Sequence, residues 1–222
     1  MSSPYPTETH AEAELSPRRP RALALAVSGC LVAVWVALMS RFGDTDVYTV
    51  MGPYACIVCV ACFAMFPREL VGGLACDVRG LLLGLGVGVG MTLLTYPVFA
   101  AAVKVMPSLQ AQVAGLYQFA TTTSQSAALF WVGALVIAEE LLFRGVLPRV
   151  LQPWATQGRV LALAVLIYAG AQLGSGSFIV FLIALVCGTI WTALCRYTGS
   201  LTPGLIAHGI WSPTIIVLFP VT

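Results

Sequence analysis

The apolar positions of this chain neither alternate nor recur every three to four residues; they merge into long runs separated by short polar stretches. Such runs occupy residues 22–40 and, approximately, 47–66, 80–103, 126–147, 160–174, 177–195 and 201–219. A helix crossing the hydrocarbon core of a bilayer takes about 20 apolar residues. Within lipid a lone segment satisfies its backbone hydrogen bonds only as a helix. The pattern therefore predicts an all-α fold, a polytopic transmembrane helical bundle of about seven or eight helices. The segment 107–125 is too polar for lipid, with Gln110, Gln112, Gln118 and the run Thr121 to Gln125, and reads as an interfacial or re-entrant helix.

Residues 1–21 are polar and hold Pro4, Pro6, Pro17 and Pro20, which predicts a flexible N-terminal tail. The remainder, 22–222, reads as a single transmembrane domain. The first run follows Arg18, Arg19 and Arg21 but has no convincing small-residue cleavage site before Arg41, so it is read as an uncleaved span rather than a signal peptide. With the arginine cluster placed in the cytoplasm, seven spans also put Arg68, Arg79, Arg149, Arg159 and Arg196 there and leave Arg41 and Lys104 outside. Within the third run, Gly84, Gly86, Gly88 and Gly90 alternate and create two overlapping faces for close helix contact.

Composition agrees with a lipid solvent. Hydrophobic residues make up 59% of the 222 and charged ones 9%, which excludes an ordinary soluble domain. The net charge of +2 is small and scattered, so no nucleic-acid surface is expected. Cys30, Cys56, Cys59, Cys62 and Cys187 lie inside apolar runs and read as packing residues. Cys56, Cys59 and Cys62 repeat every third position without the His or carboxylate partners of a metal site, and no metal or other cofactor is expected.

The chemistry concentrates in the C-terminal half. After Asp77 the only acidic residues are Glu139 and Glu140, adjacent and in the middle of an apolar stretch. An ionisable residue at membrane depth costs about 2.5–3.5 kcal/mol on insertion scales, which makes it a functional candidate unless a partner explains it. Arg144, four positions after Glu140, shares its helical face and can hold it as an ion pair. Glu139 has no counter-charge nearby in sequence and is the candidate general base. Tyr168 and Gln172 form a second polar pair, and His208 and Ser212 a third, each spaced one helical turn apart. Glu139 lies ten residues before Arg149, Gln172 thirteen after Arg159 and His208 twelve after Arg196. At ~1.5 Å per residue these offsets are roughly 15, 20 and 18 Å, so the three groups can meet at one depth. A base beside neutral donors supplies a water activator and a cradle for a tetrahedral oxyanion, the needs of acyl transfer to water. The competing reading is that these polar groups only bridge helices.

The stretch AEELLFRGVL, with Glu139, Glu140 and Arg144, resembles the EExxxR motif of the CAAX protease and bacteriocin-processing family of glutamate-dependent intramembrane endopeptidases. Residues 200–212, SLTPGLIAHGIWS, resemble that family's last motif, H-x-x-x-N. The likeness covers about 126–219, the protease-like core. It implies Glu139 as the base that activates water, Glu140 and Arg144 as its support, and His208 as an oxyanion donor. It also implies a protein or peptide substrate with a membrane-associated tail, cut near its membrane-proximal C-terminal part. A multi-pass location follows, in a bacterial cytoplasmic membrane if the small size is a guide, with the N-terminus cytoplasmic. The chain departs from the pattern twice. Tyr168 and Gln172 stand where the middle motif reads F-x-x-x-H, and Ser212 stands where the last motif ends in Asn. Three readings follow: an active variant in which Gln172 positions the water and Ser212 replaces the Asn; an inactive member that binds membrane tails or partners; and a small proton-coupled transporter using the glutamates.

Overall fold

The computed structural model describes residues 18–40, 47–118 and 124–221, and among these every regular element is helical. In chain order they are α1 (Arg18–Met39), α2 (Val47–Met65), α3 (Pro67–Leu74), α4 (Val78–Val105), α5 (Ser108–Gln118) and α6 (Gln125–Glu139). The helix of α6 continues without interruption through a π-helical segment, Glu140–Val146, into α7 (Leu147–Leu151). Then follow α8 (Gln157–Gln172), α9 (Phe178–Thr198) and α10 (Thr202–Pro213), the last prolonged by a π-helical turn, Thr214–Leu218. The protein is an integral membrane protein built as an all-α bundle.

The seven apolar runs do not all form helices of spanning length. Five helices, Arg21–Met39, Val78–Val105, Gln125–Trp154, Gln157–Ser175 and Phe178–Thr198, are long and apolar enough to cross a membrane. The run at 47–66 belongs instead to a broken pair, because Pro67 cannot donate to the preceding turn and starts α3 at an angle of 105° to α2. The last run yields the shorter helix Thr202–Leu218. Its start is tied to the bent segment: Leu201 N and Ser200 Oγ donate to Gly73 O (2.7 and 3.1 Å), and Thr202 Oγ1 donates to Leu74 O (2.6 Å). These bonds occupy carbonyls that α3 leaves unpaired at its C-terminus.

Two further expectations are modified. The predicted tail, 1–21, overlaps α1 at Arg18–Arg21, and its first 17 residues lie outside the described region. The ambiguous segment 107–125 contains α5, while 119–123 lie outside the described residues. Of the two glycine faces of α4, one is used. A Cβ on Gly84 would stand 2.8 Å from Pro203 O and one on Gly88 2.9 Å from Ala207 Cα, whereas Gly86 and Gly90 face open space. Close packing of α4 on α10 therefore requires Gly84 and Gly88, as small residues do where membrane helices touch.

The core surrounds the π-helical segment, with buried residues from α1, α2, α8, α9 and α10. Every residue from Glu139 to Leu147 is buried. Trp35 of α1 meets Tyr54 and Phe143 edge-on, and Phe143 meets Tyr168 in the same way at 5.1 Å, so aromatic rings link the outer helices to the centre. All seven cysteines are free.

Candidate active site

The two glutamates sit at the junction of α6 and the π-helical segment, a helix irregularity that is frequent at functional sites. Consecutive side chains of an α-helix diverge by about 100°, and the backbone at Glu139 and Glu140 is α-helical, with φ −63°, ψ −46° and φ −65°, ψ −43°. The two carboxylates therefore reach different partners, Glu139 those of α8 and Glu140 those of α10 and Arg144.

The two acids are held differently. Glu140 is completely buried. Its Oε1 lies 3.1 Å from Arg144 Nη1 and 2.8 Å from His208 Nδ1. Glu139 keeps a little exposure, 11% of its side chain. It is held by neutral donors from α8: Tyr168 Oη donates to Oε2 and Gln172 Nε2 to Oε1, both at 3.0 Å. His208 spans the two acids, with Nε2 3.6 Å from Glu139 Oε2, beyond direct hydrogen-bond reach. With Nδ1–H donated to Glu140, the imidazole is oriented and its Nε2 edge is presented to Glu139.

The walls around this cluster are made of flat and small groups. The Trp191 ring stacks on His208 at 3.6 Å and 16°. Arg144 lies 4.2 Å over the Tyr168 ring and donates from Nε to Thr192 Oγ1 at 3.4 Å. A Cβ on Gly188 would come within 2.8 Å of Tyr168 Cδ1 and 3.0 Å of Arg144 Nη2. One on Gly204 would come within 2.5 Å of Cys195 Sγ and 3.1 Å of Glu140 Oε2. Small residues at these two positions let the charged core close. Within it, Glu140 Oε2 and Arg144 Nη2 have no hydrogen-bond partner among the described residues. No group of three or more His, Cys, Asp or Glu is arranged to hold a metal ion among the described residues.

Of the residues singled out from the sequence, Glu139, Glu140, Arg144, Gln172 and His208 come together through direct contacts. The Gln172 amide, however, is spent on the Glu139 carboxylate. Ser212 is buried one turn beyond His208 and makes no hydrogen bond among the described residues. Tyr168 belongs to the site and was legible only as the polar partner of Gln172. Trp191, Thr192, Gly188 and Gly204 were not legible as site residues. A tryptophan, a threonine and glycines in apolar helices give no signal until the helices are packed.

Residues 120–213 match the family model described as Type II CAAX prenyl endopeptidase Rce1-like. Over that stretch the chain is similar to that family. The match contains every member of the buried cluster and takes in the second half of the bundle, so the resemblance read from AEELLFRGVL and the His208 segment meets an independent finding. The family that this model describes is one of endopeptidases. Neither a comparison with curated proteins nor one with solved structures gives a match.

Proposed function

We propose that this protein is an intramembrane endopeptidase that hydrolyses a peptide bond near the membrane-proximal C-terminal part of a protein or peptide, using a water activated by Glu139. The observation that carries this reading is the unequal treatment of the two carboxylates. Glu140 is enclosed and bound to Arg144 and His208, whereas Glu139 retains an exposed edge and neutral partners. An acid that must exchange a proton with a substrate needs access to it and freedom from a permanent ion pair.

In this mechanism a water at the exposed edge of Glu139 gives its proton to the carboxylate as its oxygen attacks the scissile carbonyl carbon. The carbonyl π electrons move to oxygen, and His208, its Nδ1–H held by Glu140, donates from Nε2 to that oxyanion when the ring carries a proton on both nitrogens. Glu139 then returns the proton to the leaving amine as the C–N bond breaks, so the residue ends as it began. Arg144 and Glu140 act at one remove by fixing the His208 ring. Gln172 keeps Glu139 in place, a positioning role rather than one in proton transfer, since an amide does not titrate near neutral pH.

The arginines support an orientation with the N-terminus in the cytoplasm. Arg79 donates to Tyr197 Oη, and Arg149 to the Gly145 and Glu69 carbonyls, so basic residues from distant parts of the chain gather at one end of the bundle. A second reading, an inactive protein that binds membrane tails, is favoured by Gln172 bonding to Glu139 where an ionisable group is expected. A proton-coupled transporter is the third.

The test is cleavage of a membrane-anchored reporter library by purified protein, wild type beside Glu139→Ala, Gln172→Ala and His208→Ala, with and without a chelator. Cleavage that persists with chelator and is lost in Glu139→Ala supports the proposal. A folded wild-type protein that binds tails but cuts none supports the second reading, and proton flux abolished by Glu139→Gln supports the third.

A further inference from the structure

The His208 ring is held by a hydrogen bond at one atom. Its Nδ1 meets Glu140 Oε1 at 2.8 Å, whereas Nε2 stands 3.6 Å from Glu139 Oε2, beyond direct hydrogen-bond reach. A single bond fixes one point of an imidazole and leaves its plane free to tilt about that point. Tilting carries Nε2, the donor to the oxyanion in the mechanism above, away from Glu139. Keeping it in place takes a second restraint, one that acts on the plane of the ring and leaves Nε2 unbonded.

Trp191 of α9 has those properties. Its ring lies 3.6 Å from the imidazole and 16° from parallel with it, and the residue is 1% exposed. Other ring pairs of the core cross edge-on, Trp35–Tyr54 at 61°, Trp35–Phe143 at 84° and Phe143–Tyr168 at 62°. The near-parallel contact with His208 sets Trp191 apart from that packing. Trp191 Nε1 has no hydrogen-bond partner among the described residues, so the indole is held by the shapes of its neighbours and not by a polar tie. One neighbour is Trp211, which meets it edge-on at 5.9 Å and 64°. Trp211 lies on α10, three residues after His208, and donates from Nε1 to Thr95 Oγ1 of α4 at 2.9 Å. Thr95 is outside residues 120–213 of the family match. A helix from the first half of the chain is thereby connected to the reacting ring through two tryptophans.

We propose that Trp191 is a positioning residue for His208, its face holding the imidazole plane so that Nε2 meets the oxyanion, and that Trp211 with Thr95 holds Trp191 in turn. This rests on the endopeptidase reading above. The oxyanion exists only once the water has attacked, so loss of the indole face lowers kcat and leaves KM in place. A phenyl ring supplies a smaller flat face at the same position, whereas leucine supplies apolar bulk without one.

The experiment is a double-mutant cycle on the full chain in detergent, with reporter cleavage normalised to folded protein. Trp191→Leu is expected to lower kcat about tenfold with KM within about twofold of wild type, and Trp191→Phe to recover most of that rate. In the His208→Ala background, Trp191→Leu is expected to change the residual kcat by less than about twofold, because no ring is left to position. An equal loss with and without His208, a loss carried by KM, or a Phe variant no better than Leu overturns the proposal in favour of plain packing. If Trp191→Leu does not fold, Trp191→Phe takes its place in the cycle, with an expected loss of about two- to threefold that disappears without His208. Trp211→Phe removes the bond to Thr95 and is expected to lower kcat about twofold; an unchanged kcat overturns the supporting role of Trp211.

A second readout needs no cleavage. The chain has two histidines, His10 and His208, so in protein labelled at histidine the magnetic resonance signals of the His208 ring are those missing from His208→Ala. Its carbon-bound protons are expected to be displaced upfield by the indole face in wild type and to return to ordinary positions in Trp191→Leu, or part of the way in Trp191→Phe; signals that stay unmoved overturn the stacking. Wild-type cleavage with a kcat indifferent to Trp191 removes this role and leaves the endopeptidase reading intact. Displaced ring signals without cleavage of any reporter keep the ring contact and remove the endopeptidase reading.

Discussion

Glu139 and Glu140 are neighbours in the chain, yet one sits in a closed ionic lattice and the other at the edge of a neutral hydrogen-bonded one. On the Glu140 side, Arg144, His208 and Thr192 form a charged unit packed under Trp191. On the Glu139 side, a phenol and an amide hold the carboxylate without neutralising it. A buried ion pair adds little net stability over an apolar replacement, whereas removing one partner of it is expensive. The lattice is therefore best understood as a clamp that orients His208, and the neutral side as the place where a proton can move.

The strongest way to break this comparison is to strip the clamp of its cation. Arg144→Met leaves Glu140 buried with His208 as its one remaining partner, with an expected loss of about 3 kcal/mol, read as a lower unfolding temperature in detergent. Gly204→Ala tests the same side more gently. Its methyl group presses on Cys195 Sγ and Glu140 Oε2, and overpacking of this kind costs about 1–3 kcal/mol in the same assay. On the neutral side, Tyr168→Phe keeps the ring under Arg144 and removes one donor to Glu139. It is expected to cost about 0.5–1.5 kcal/mol in stability and to slow reporter cleavage several-fold. Ser212→Ala lies outside both networks, and its expected effect on unfolding is within about 0.5 kcal/mol. A large loss of cleavage in that variant would return Ser212 to the reacting centre.

The sequence made some parts of this arrangement plain and left others hidden for physical reasons. The apolar runs gave the helices because lipid admits few other structures, and the Glu140–Arg144 pair was visible because spacing by four sets a contact within one helix. The common depth of Glu139, Gln172 and His208 could be reckoned from the nearby arginines. The bend at Pro67 and the short last helix were not apparent from hydropathy, which measures how apolar a run is and not its direction. The π-helical segment escaped because no residue type encodes it; it arises where backbone geometry yields to the packing of buried charges. Tyr168 lay in view beside Gln172, but its bond to Glu139 depends on how α8 is rotated against the π-helical segment. Trp191 and Gly204 acquire meaning only from what they touch.

The most direct test of the division between the two acids is reporter cleavage by Glu139→Gln, normalised to folded protein. Gln is nearly isosteric and removes a carboxylate that has no cation of its own, so the fold is expected to unfold at the wild-type temperature or slightly above. The account predicts cleavage reduced by at least about 10²-fold, the scale of a lost general base. A Glu139→Gln protein that is folded and cuts at the wild-type rate would contradict it, and would leave the enclosed Glu140 or another group to activate the water.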